Sequence, residues 1–99
     1  MNSKILGSSV VIAARDQVSC DLAGEAAILD IKSGIYYGLD AVGALIWNLI
    51  QEPRTVDEVR DAILQEYDVE PDRCEHDLLA LLRELATRGL IEVHDQTTA

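Results

Sequence analysis

Apolar and polar residues change their period once along this chain, at about Asp40. Before that point the spacing is that of strands, in which successive side chains face opposite ways. "QVSCDL" at 17–22 alternates apolar and polar, "EAAILDI" at 25–31 is more continuously apolar, and "IYYGL" at 35–39 carries two adjacent tyrosines. Ala23-Gly24 and Lys32-Ser33-Gly34 separate these runs, and glycine supplies the positive φ that tight hairpin turns use. A three-stranded antiparallel meander follows. A further run, "VVIAA" at 10–14, is β-prone but carries no signal of its partner.

From Asp40 onward the period is helical. "DAVGALIWNLIQ" offers Asp40 as N-cap, aligns Val42, Leu45, Ile46, Leu49 and Ile50, and is closed off by Pro53. "TVDEVRDAILQEYD" opens with Thr55 and Glu58 in capping-box spacing and has a stripe of Val56, Val59, Ile63 and Tyr67. A third helix, over 72–88, starts from Pro71 in its first turn and ends at Gly89 as a left-handed cap. Its Leu78, Leu81, Leu82 and Leu85 face the core, with Cys74 and Leu79 toward the edges. "LIEV" at 90–93 adds a last extended segment. Strands first and helices afterwards, without βαβ alternation, define an α+β fold. Residues 1–9 read as a flexible arm, 10–93 as a single domain and 94–99 as a tail.

Composition narrows the class of function. With 99 residues, 48% apolar and 26% charged, the chain has the make-up of one small folded domain. Its net charge of −10 repels phosphate backbones and anionic lipid heads, so nucleic acid and membrane surfaces are poor partners, whereas a basic peptide is attracted. No apolar run approaches the ~20 residues of a spanning helix. The N-terminal "MNSKILGSSVVIAARD" is too interrupted for a signal peptide, which points to a cytoplasmic protein. Cys20 and Cys74, far apart and without metal-type spacing, fit reduced thiols.

Catalytic chemistry finds little support in the residues. The glycines form neither phosphate-binding pattern. Asp57, Glu58, Glu70, Asp72 and Glu75 lie at helix starts, where carboxylates complement exposed N–H groups. Cys74 and His76 are two apart on a helix and diverge, which suits neither a nucleophile–base pair nor a zinc site. Trp47 reads as a core or boundary aromatic rather than a ligand platform, and the arginines are scattered among acids rather than gathered in a basic stripe. The expectation is a chain with no enzymatic activity, metal or cofactor.

What remains is the strand 35–39. It is last in the meander and carries neither charge nor proline, the usual protections of an exposed edge. Tyr36 and Tyr37 must face opposite ways. Such an edge is open to an added peptide strand, to a second copy of the chain, or to cover by residues 10–14.

"GEAAILDIKSGIYYGLDAVGALIWNLI", "TVDEVRDAILQEYDVE" and "DLLALLRELATRGLIEV" together resemble the PqqD-like family, recognition domains for ribosomally made and modified peptides. The "SCDLAGE" turn and the G-x-YY-x-L strand are similar to stand-alone recognition proteins of lasso-peptide pathways. The resemblance covers about residues 10–93. It implies a winged helix-turn-helix-like fold without DNA binding, in which a precursor's leader segment adds as a strand beside the third strand, against the third helix. Carried onto this chain, the peptide-binding positions are Ile35, Tyr36, Tyr37, Gly38 and Leu39 on the strand and Cys74, Asp77, Leu78, Leu81 and Leu82 on the helix. The implied partners are the leader peptide and a separate modifying enzyme or leader protease. A peptide chaperone for a radical enzyme of quinone-cofactor synthesis, or a winged-helix regulator, are the alternatives.

Overall fold

The computed structural model describes residues 5–14, 17–22, 25–31, 34 and 36–94, with the strands over 17–22 and 25–26 described by their backbone. The element order is β1 (Val10–Ala13), β2 (Gln17–Leu22), β3 (Glu25–Asp30), β4 (Tyr36–Leu39), α1 (Ala41–Leu49), β5 (Arg54–Thr55), α2 (Val56–Glu66), α3 (Pro71–Thr87) and β6 (Ile91–His94). This is an α+β arrangement of antiparallel strands and three helices. Among the described residues no helix is long and apolar enough to cross a membrane.

The expected meander is present as β2-β3-β4. Gln17 pairs with Asp30 and Leu22 with Glu25 across β2 and β3, and Ala26 pairs with Leu39 and Leu29 with Tyr36 across β3 and β4. Gly34 has φ +73 and its N–H donates to the Asp30 carbonyl at 2.7 Å, the left-handed turn geometry glycine permits. The turn expected at Ala23-Gly24 lies outside the described residues.

One sheet was expected and two are present. β1 is the centre of a second three-stranded sheet, ordered β5-β1-β6. Val11 pairs with Val93 on one side and with Arg54 on the other. Periodicity marks a segment as extended but carries no information about a partner some eighty positions away, so "VVIAA" had no assignable neighbour. The arm expected over 1–9 is tied down from Ile5 on. Ile5 and Ser9 are buried, the Ser9 hydroxyl accepts from the Leu6 N–H at 2.9 Å, and the Val56 and Asp57 N–H groups donate to the Ser9 and Gly7 carbonyls. His94, expected in the tail, ends β6 opposite Val10.

The helices form where their caps lie. The Asp40 side chain accepts from the Gly43 N–H at 2.8 Å, capping α1. Thr55 and Glu58 close a reciprocal capping box on α2, with Glu58 N–H to Thr55 at 3.1 Å and Thr55 N–H to Glu58 at 2.9 Å. Pro71 occupies the first turn of α3, and Gly89 terminates it at φ +75. One core joins both sheets to the helices. Val11, Ile28, Ile50, Val59, Leu82 and Leu85 are fully buried within it, and Trp47 is buried as expected. The sheet β2-β3-β4 turns Ile28 and Leu39 to this core and leaves Leu29 and Ile31 exposed.

Candidate functional site

β4 is the end strand of its sheet, and its outer edge has no strand partner among the described residues. β1, from the segment 10–14 that was one alternative cover for this edge, is held in the other sheet between β5 and β6. The pleat divides the β4 side chains. Tyr36 is 68% exposed, whereas Tyr37 is partly buried against the core and Leu39 is buried. Ile35 lies outside the described residues.

Beside this edge runs a groove of about 600 Å³. Tyr37, Gly38 and Leu39 line it from β4, and Cys74, Leu78 and Leu81 line it from α3. Val42, Gly43 and Ile46 of α1 and Ile63 of α2 complete its apolar surface. Because Asp40 alone separates Leu39 from the start of α1, the helix's first turn is carried directly under the strand. Gly43 makes that approach possible, since a Cβ there would meet the Leu39 side chain at 3.0–3.1 Å. Asp40, Arg73 and Asp77 are the charged groups around the groove, with Tyr67 and Val69 added from the segment between α2 and α3.

Of the residues singled out from sequence, Tyr37, Gly38, Leu39, Cys74, Asp77, Leu78 and Leu81 come together around one groove. Two do not belong to its lining. Tyr36 stands on the other face of the sheet beside its partner Leu29. Leu82 is fully buried and packs in the core, because a helix placed by Cys74, Leu78 and Leu85 turns the next position of that stripe inward. Sequence reasoning passed over Val42, Gly43, Ile46, Ile63, Tyr67 and Arg73. Val42, Ile46, Ile63 and Tyr67 belong to the apolar stripes of their helices, which do not distinguish a groove wall from the core, and Gly43 and Arg73 carry no periodic signal.

Two features set the groove's chemistry. Burial pushes the Cys74 thiol up from its ordinary range, Asp77 and Glu75 push the same way, and Arg60 opposes them. The sulfur therefore stays a neutral, apolar lining group near neutral pH. At the far end of α3, the Arg88 guanidinium lies over the Tyr37 ring, 5.3 Å from its centre. Among the described residues no group of three or more His, Cys, Asp or Glu is placed to hold a metal ion. A strand whose outer edge has no strand partner among the described residues, beside an apolar channel, suits an extended peptide, whose backbone pairs with that edge while alternate side chains enter the channel.

These features define the class: a small α+β domain presenting an open strand edge next to an apolar groove. Residues 25–91 match the family of coenzyme PQQ synthesis protein D, PqqD, and the chain belongs to that family. It is also similar to a solved structure, TbiB1 in complex with the TbiA(beta) leader peptide, at 36% identity and a TM-score of 0.76. The likeness covers 89% of this chain and 99% of that one. No curated protein sequence matches the chain.

Proposed function

We propose that this chain is a leader-peptide-binding adaptor of lasso-peptide biosynthesis, which presents a ribosomally made precursor to a separate leader protease and has no catalytic role of its own. The observation that carries this reading is the open β4 edge running beside the apolar groove. Membership of the PqqD family and the likeness to a solved leader-peptide complex support it. The leader lies as an added strand along β4, and its backbone hydrogen bonds supply sequence-tolerant affinity. Its alternate side chains enter the space between Tyr37, Cys74, Leu78 and Leu81, which selects apolar residues. Asp40 and Asp77 favour a leader Lys or Arg at the rim, and the net charge of −10 speeds encounter with a basic leader. In this reading the three helices and closing strand are a winged helix-turn-helix-like scaffold put to peptide rather than DNA recognition.

The direct test is a titration of the chain into the fluorescein-labelled leader of the precursor encoded beside its gene, read by polarisation. Saturable binding that a scrambled leader does not reproduce is the expected result. Absence of binding, or salt-sensitive retention of duplex DNA instead, overturns the reading.

A further inference from the structure

Tyr37 belongs to the groove and also to a second set of contacts outside it. Arg88, the C-cap of α3, does not line the groove, yet its guanidinium lies 5.3 Å from the Tyr37 ring centre, within cation–π range. The guanidinium is itself oriented by Glu84 one turn earlier. Arg88 Nε donates to Glu84 Oε2 at 3.1 Å, and a terminal nitrogen lies 3.0 Å from the same oxygen. The backbone fixes where this arginine stands, because Gly89 turns left-handed directly after it and the Leu90 N–H returns to the Leu85 carbonyl at 2.9 Å. A chain of three side chains, Glu84, Arg88 and Tyr37, therefore joins the last turn of α3 to the edge strand.

We propose that Arg88 is a positioning residue for leader recognition: it holds the Tyr37 ring in place as a wall of the groove before the peptide arrives. The proposal deepens the leader-binding reading and rests on it. A partly exposed tyrosine on an edge strand has rotamer freedom, and a peptide that had to order the ring on arrival would lose that entropy from its affinity. The exposed Arg88–Glu84 pair contributes little to folding by itself. Its loss should therefore be felt in binding far more than in stability.

A double-mutant cycle tests this with the same labelled leader, using the wild type, Arg88→Met, Arg88→Lys, Tyr37→Leu and the Arg88→Met/Tyr37→Leu double variant. Arg88→Met should weaken binding about two- to fivefold, the range of an exposed cation–π contact. Arg88→Lys, which keeps the cation, should recover most of that loss. In the Tyr37→Leu background Arg88→Met should change nothing further. In the free protein, the Arg88 Nε–H resonance should carry a ring-current shift that Tyr37→Leu removes. Additive losses, unchanged binding in Arg88→Met, or an Arg88 resonance indifferent to Tyr37→Leu each overturn the proposal. Failure of the wild type to bind is read before any variant and overturns the leader-binding reading itself, taking this proposal with it.

Discussion

Tyr36 and Tyr37 are consecutive residues of β4 that the pleat sends to opposite faces of the sheet, Tyr36 beside exposed Leu29 and Tyr37 opposite fully buried Ile28. Only Tyr37 lines the groove. Tyr37→Ala should therefore cost on the order of 1–2 kcal/mol of leader affinity, the scale of a truncated aromatic anchor. That is about a five- to thirtyfold rise in Kd by polarisation. Tyr36→Ala should cost distinctly less. An equal or larger effect at Tyr36 would place the leader's side chains on the wrong face of the sheet.

Leu81 and Leu82 make the corresponding contrast on α3. Leu82 is fully buried away from the groove, so Leu82→Ala should destabilise the fold by about 2–5 kcal/mol through transfer and cavity terms. Urea unfolding followed through Trp47, the single tryptophan and a buried one, measures this. Leu81 is only partly buried and lines the groove, so Leu81→Ala should lose less stability and more leader affinity. Two variants with the same balance of stability and affinity loss would contradict this division of α3.

That division shows what could be read from the sequence and what could not. The capping residues Asp40, Thr55 and Gly89 fix helix ends through local chemistry, and the structure has all three where their spacing put them. The β2-β3-β4 meander was legible for the same reason, since each pairing spans only a short turn. The β5-β1-β6 sheet was not, because Arg54 and Val93, the partners of Val11, lie beyond intervening helices in sequence and no local signal links them. Around the groove, Tyr37, Gly38 and Leu39 of β4 and Cys74, Asp77, Leu78 and Leu81 of α3 were among the positions named from the resemblance. The part contributed by α1 and α2 depends on how three helices pack, and a hydrophobic stripe does not say which of its members will border a channel.

Cys74 offers a chemical reading of the same groove. Burial raises its thiol above the ordinary value, so at any pH near 8 less of it is thiolate than of a free cysteine. Alkylation by iodoacetamide, with Cys74 resolved from Cys20 by peptide mapping, should lag that of an unstructured cysteine peptide. The lag should shorten as pH rises through the shifted value, and saturating leader should lengthen it further. Modification as fast as that of the free peptide would contradict a buried sulfur in the groove.

The claim that the leader adds as a strand to β4 is tested most directly by amide hydrogen exchange, with and without saturating leader. Residues 36–39 should become strongly protected on binding, while β1 and β6, already paired with each other, change little. Tight leader binding that leaves exchange at 36–39 unchanged, or that protects the β5-β1-β6 sheet instead, would contradict it.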